Sequence, residues 1–246
     1  MKTESKTASK TESKTASKTE NKTASKGRNT TDDRVRPDTH GMVVIHRGLR
    51  REAGLLAELV AAVAPGDTAR AAVLTAHLRD YLLGLHNHHH GEDEHLWPLL
   101  LGRVDLEAEV VLRMEAQHER VAATLAAAEA ALPAWESTAG EAERDRLAAV
   151  LAEHRAVLVE HLDDEEAELL PLAERHLTVA EWNRLGEHFL AATPKPKLLL
   201  FLGIALEDAD AEERAAFLAE LPLPGRLLWH TVGRSLYARS VRRVRG

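Results

Sequence analysis

Residues 88–100 read HHHGEDEHLWPLL, and residues 161–173 read HLDDEEAELLPLA. Each stretch opens on a histidine, carries a glutamate four positions on, and meets a proline six positions after that. The two copies lie 73 residues apart. A four-residue spacing marks one helix face, because residues i and i+4 project from the same side of an α-helix. Each copy ends a segment rich in Ala, Leu, Glu and Arg, a composition that favours helix. The amphipathic segment preceding each copy holds one histidine on its apolar stripe, His46 and His118, and these are 72 residues apart. The two offsets agree, so the chain contains two helical hairpins. Each presents one histidine from its first helix and a His–Glu pair from its second.

Outward from these motifs, the apolar periodicity predicts four long helices over residues 38–63, 68–101, 105–132 and 141–176, with Thr68 capping the second. Short connections between long amphipathic helices make an all-α, up-down-up-down four-helix bundle, spanning residues 37–177. Residues 178–246 form a helical extension: a helix near 179–190, the apolar run LLLFLGIAL at 198–206, a charged helix near 211–221 and a last basic amphipathic helix. Residues 1–36 form a disordered arm, most of it three octapeptides, KTESKTAS, KTESKTAS and KTENKTAS. With no Val, Ile, Leu or aromatic side chain, the octapeptides bury too little apolar surface to offset the entropy of ordering.

The chain has no cysteine, which excludes disulfides and thiolate ligands and leaves nitrogen and oxygen donors for any metal. No apolar run is long enough to span a bilayer, and a cytoplasmic protein is expected. The net charge of −7 is unevenly spread: residues 1–36 carry +5, residues 222–246 carry +6, and the body between them carries −18. An acidic body suits a cation collector and does not suit a nucleic-acid binder. The basic tail is expected to lie against that body in preference to an anionic membrane.

Antiparallel packing of the hairpins brings His46, His88, His118, His161, Glu92 and Glu165 into the bundle centre. Two like charges buried together are unfavourable unless a cation sits between them. Two divalent ions bridged by the carboxylates meet that need, and the donor set suits iron, with manganese and zinc as competitors. A helical wheel at roughly 100° per residue separates the crowded histidines. His88 shares the inward stripe with Tyr81, Leu85 and Glu92. His86 and His90 face solvent, and His89 lies on the border. His95 is inward but roughly 10 Å further along the axis at ~1.5 Å per residue.

Around these residues, VVIHRGLRRE, HHHGEDEHLWPLL, EAQHERV and EHLDDEEAELLPL, the chain resembles the hemerythrin-like, or HHE cation-binding, family over about residues 38–176. The resemblance implies a four-helix bundle holding two non-haem iron ions, with His46, His88, Glu92, His118, His161 and Glu165 as ligands and the two glutamates bridging. Oxygen-carrying members have a fifth histidine one helical turn from the position of His118, where this chain has Met114 and Ala122. Their second carboxylate is an Asp five residues after its histidine, whereas Glu165 follows His161 by four. One metal is therefore expected to lack a protein ligand, with His89, Glu115 and His154 as substitutes. The resemblance thus favours redox chemistry with peroxide or a related small oxidant over reversible oxygen transport. The alternative is a sensor or buffer of oxygen, nitric oxide or iron.

Tyr81, His95 and His154 are expected as polar core residues or outer partners of the ligands. Pro98 and Pro171 predict a shared kink or helix end beyond the site. A ferritin-like reading uses Glu92-x-x-His95 and Glu115-x-x-His118. It leaves His46, His88 and His161 without a role and finds no glutamate on the apolar stripe of the first helix.

Overall fold

The computed structural model describes residues 36–246. Residues 1–35, which hold nearly all of the expected N-terminal arm, lie outside the described residues. Every regular element described is helical. Helices α1 (His40–Ala61), α2 (Thr68–His95), α4 (Ala108–Thr138) and α5 (Glu141–Asp164) form the bundle, with α1 beside α2 and α5, and α4 beside α2 and α5. Each helix thus touches the next in sequence and the last returns to the first, as the up-down-up-down reading requires.

Asp67, not Thr68, caps α2: its side chain accepts a hydrogen bond from the Arg70 amide. The third helix runs past Pro133, because Trp135 is fully buried in the core and keeps the last turn in place. The paired prolines act differently. Before Pro98 the chain breaks at Leu96 and restarts as the short α3 (Trp97–Leu101). Before Pro171 it widens into a π-helical turn, Glu165–Leu169, and continues as α6 (Leu170–His176). Both devices let a residue without an amide hydrogen sit near a helix start.

Two apolar clusters fill the bundle. One gathers Leu56, Leu78, Leu132, Trp135 and Leu151 at one end. The other gathers Leu96, Trp97, Met114, Leu169 and Leu172 near α3 and the π turn, with Trp182 of α7 (Val179–Ala192) packed against it. The polar residues of the two motifs lie between them.

The extension continues through α8 (Lys195–Leu206), α9 (Ala211–Glu220), α10 (Leu223–Leu228), a π turn at Trp229–Gly233 and α11 (Arg234–Arg245). Helix α8 lies on α1, and a Cβ at Gly48 would come within 2.8 Å of the Ile204 carbonyl oxygen, so glycine permits the approach. The basic tail meets the acidic body where Arg245 pairs with Glu207 and Glu52. Glu52 is buried beneath this extension and accepts from His77 at 2.7 Å, well away from the bundle centre. Among the described residues no helix is long and apolar enough to cross a membrane.

Candidate metal centre

Four helices deliver the polar cluster. His46 comes from α1, His88, His89 and Glu92 from α2, His118 from α4, His161 from the last turn of α5, and Glu165 from the start of the π turn. Their donor atoms fall into two groups, each within 4.8 Å: His89, Glu92, His118 and His161 in one, and His46, His88, Glu92 and Glu165 in the other. Glu92 belongs to both. Its Oε1 lies 3.4 Å from His88 Nε2 and its Oε2 lies 3.5 Å from His118 Nε2. Glu165 Oε2 also reaches across, 3.4 Å from His46 Nε2 and 3.6 Å from His161 Nε2.

These donors have no protein partners. The Nε2 atoms of all five histidines and both oxygens of each glutamate are buried without a hydrogen bond. Buried polar groups in folded proteins are nearly always paired, so nine orphans in one place need a common explanation. Nitrogen–oxygen separations of 3.4–3.6 Å are long for hydrogen bonds. They suit two donors on one ion, each at ~2.0–2.2 Å.

The electrostatics agree. Burial, reinforced by neighbouring imidazoles, pushes His88 and His89 well below the usual histidine range and His161 down to about 2. All three are therefore neutral at physiological pH, with a lone pair free to donate. Burial and the Glu165 carboxylate push Glu92 well above the usual carboxylate range, and burial also raises Glu165. The pocket disfavours a proton on its imidazoles and an uncompensated charge on its carboxylates. A metal cation satisfies both, so the residues present fit a two-ion centre.

The opposite ring nitrogens are held from outside. His118 Nδ1 lies 2.8 Å from Asp93 Oδ1, which also accepts from Trp97 Nε1 at 2.7 Å. His46 Nδ1 lies 2.9 Å from Glu166 Oε1, which also accepts from Arg50 at 2.6 Å. Burial works to raise both acids, but these bonds hold Asp93 and Glu166 below their ordinary values. As ionised acceptors they require Nδ1–H, which leaves Nε2 to face the centre. Gln117 Oε1 faces His161 Nδ1 at a longer and weaker 3.4 Å, its own orientation set by a 2.8 Å bond from its Nε2 to Asp164. Sequence reasoning missed these partners, although a signal was present. Asp93 and Glu166 follow Glu92 and Glu165, are again 73 residues apart, and each serves the first-helix histidine of the opposite hairpin.

Of the three substitutes for a fifth histidine, only His89 joins the cluster, on the side of His118 and His161. Glu115 is partly exposed and belongs to neither group. His154 sits deeper in the bundle, its Nε2 2.8 Å from the Tyr81 hydroxyl and its Nδ1 2.8 Å from Thr124 Oγ1, so neither Tyr81 nor His154 bonds a residue of either donor group. His95 turns outward to His188 on α7. His86 and His90 are both exposed as expected, and the His90 ring stacks on His188 of α7.

His154 gives a pH test apart from the metal. Burial lowers it from the usual value of 6.5 to about 4. Between these values the unfolded chain binds a proton that the folded chain refuses, so stability is present above pH 6.5 and declines as the pH falls towards 4. At ~1.4 kcal/mol per pH unit the whole loss is about 3 kcal/mol. His154→Gln should flatten the slope of denaturant stability against pH over this window. An unchanged slope would show that the histidine takes up its proton without difficulty.

A family model described as the hemerythrin HHE cation-binding domain matches residues 38–173. Searches of curated proteins and of solved structures returned no significant match. The matched span covers more than half of the chain and contains all seven residues whose donor atoms stand unpaired at the bundle centre. The chain belongs to the hemerythrin HHE cation-binding family, a family of metal-binding helical bundles.

Proposed function

We propose that this protein holds two non-haem iron ions and uses them to consume peroxide or a related small oxidant. The observation that supports it is the unequal division of the nine orphaned donors. Three histidines, His89, His118 and His161, serve one group and two, His46 and His88, the other, with glutamates reaching both. A pair of iron ions supplies redox capacity for two electrons, the number exchanged when hydrogen peroxide is reduced to water or oxidised to oxygen. The two-histidine side has one imidazole fewer and a second carboxylate in its place, which leaves more room for a small ligand. Glu166 stands beside that side, bonded to His46 Nδ1 and only half-buried.

The alternative is a sensor or buffer that binds oxygen, nitric oxide or iron without turnover. It is favoured by the closed pairing of Asp93, Glu166 and Gln117, each already engaged by a ligand histidine and a second donor or acceptor. No spare acid stands among them. Iron-loaded full-length protein mixed with hydrogen peroxide should evolve one oxygen molecule for every two peroxides consumed, faster than the same concentration of free iron. No turnover, with a reversible spectral change on adding oxygen or nitric oxide, would support the alternative. Neither response would remove both readings. A cytoplasmic location goes with the proposal, since reducing conditions keep iron available to such a site.

A further inference from the structure

The chain holds a third His-x-x-x-Glu, His90–Glu94, displaced by two residues from His88–Glu92. Two helical steps of ~100° turn a side chain to the opposite face, so this pair points away from the bundle centre. There it meets His188 of α7. His90 Nδ1 lies 3.3 Å from His188 Nε2 and 3.7 Å from Glu94 Oε2, and the three residues offer donor atoms within 4.8 Å of one another. His95 Nε2 lies 3.3 Å from His188 Nδ1, on the other side of that ring.

We propose that His90, Glu94 and His188 form an outer site for a single divalent ion of the zinc class, separate from the inner pair. Two imidazoles and a carboxylate are the donor set that such an ion prefers. Two donors bound at ~2.0–2.1 Å in tetrahedral geometry stand ~3.3–3.4 Å apart, the separation already present between His90 and His188. His188 Nδ1 lies 3.3 Å from His95 Nε2 and 3.4 Å from Glu94 Oε2, so Nε2 is the nitrogen left to face His90. Three protein donors leave a fourth position for water. His90 and Glu94 are each more than half exposed, so a hydrated ion can reach them.

The bland alternative, a surface stack of rings, does not explain how firmly His188 is placed. Helix α7 begins on a Thr178–Glu181 capping box, and Arg103 clamps Glu181 with two bonds of 2.6–2.7 Å. Its far end is tied where Asn87 Nδ2 donates to Thr193 Oγ1 at 3.1 Å. Gly91 lies between the two α2 donors, and a Cβ there would stand 3.3 Å from His188 Cδ2, so glycine leaves the ring its space. His188 also lies beyond the end of the family match at residue 173, so this site needs the extension as well as the bundle.

The test is zinc titration of the full-length, iron-loaded protein by calorimetry, with iron and zinc counted in the dialysed product. One zinc per chain should bind without loss of iron. His90→Ala and His188→Ala should each weaken that binding by ~100-fold or more, above the 10–100-fold typical of losing an outer partner. His230→Ala, far along the chain, should leave it unchanged. Zinc should also raise the melting temperature of the wild type and not of the variants, since binding to the folded state alone is stabilising. His90 is exposed, so His90→Ala tests the site even if His188→Ala fails to fold. The proposal is overturned if the wild type takes up no zinc, if both variants bind it as the wild type does, or if each zinc bound releases iron. Because iron is counted in the same sample, failure here leaves the reading of the inner centre standing.

Discussion

Replacing Glu92 with Ala should abolish binding of both inner metal ions, whereas replacing Glu165 with Ala should spare one. Glu92 is the only residue common to the two donor groups, and each of its oxygens faces a different histidine, His88 on one side and His118 on the other. Losing it removes an anionic donor from both groups at once. Without Glu165, the three-histidine group still has His89, His118, His161 and Glu92. Metal-loaded, dialysed protein should therefore carry two ions per chain in the wild type, close to none in Glu92→Ala and close to one in Glu165→Ala. The loss at Glu92 corresponds to at least ~100-fold in affinity at each group, since removing even an outer partner typically costs 10–100-fold. His89→Ala gives an independent check, because it strips the three-histidine side and leaves the other intact. Circular dichroism controls for folding, and in metal-free protein each glutamate variant removes a buried carboxyl group that has no hydrogen-bond partner. Equal metal loss in the two glutamate variants would show that Glu92 is no more shared than Glu165.

That asymmetry rests on residues of unequal legibility in the sequence. His88, Glu92, His161 and Glu165 stand out because four-residue spacing is a property of the helix itself and survives any packing. His46 and His118 follow from the matching offset. His89 does not: an ideal wheel sets it at the edge of the inward arc, and an imidazole is long enough to swing inward from there. Whether a proline ends a helix or widens it is also invisible locally, and the chain does one before Pro98 and the other before Pro171. The burial of Glu52 and the meeting of His90 with His188 depend on the extension folding back over the bundle. Those contacts join residues 193 and 98 positions apart, which no periodicity encodes. Even so, the acids that orient His46 and His118 were present as a repeated doublet, Glu92–Asp93 and Glu165–Glu166. A repeat carries more information than the positions first singled out in it.

Removing the inner metal should lower the melting temperature by roughly 10–20 °C, and replacing the two glutamates with Met should recover part of that loss. The metal-free pocket leaves nine buried donor atoms unpaired. At about 1 kcal/mol each, the lower end for a buried orphan, they amount to about 9 kcal/mol. A proton retained by Glu92, whose affinity for one is raised by burial and by Glu165, offsets part of this, as does water entering the centre. A net loss near half, about 4–5 kcal/mol, translates at 2–4 °C per kcal/mol into the expected shift for a chain of this size. The comparison is between iron-loaded protein and the same sample after chelation and dialysis, melted at one pH and one concentration. If the unpaired donors cause the loss, Glu92→Met/Glu165→Met removes four of the nine, keeps most of the side-chain volume, and should melt above the chelated wild type. It should also be indifferent to added iron at that centre. If chelation instead loosened the bundle by freeing helices that only a metal holds together, the double variant would melt with or below the chelated wild type. The first outcome fits the placement of the donors between two complete apolar clusters, which hold the helices in register without help. A bundle stable enough to keep nine unsatisfied donors in place offers the ion a centre already assembled, so little of the binding energy is spent on ordering the chain.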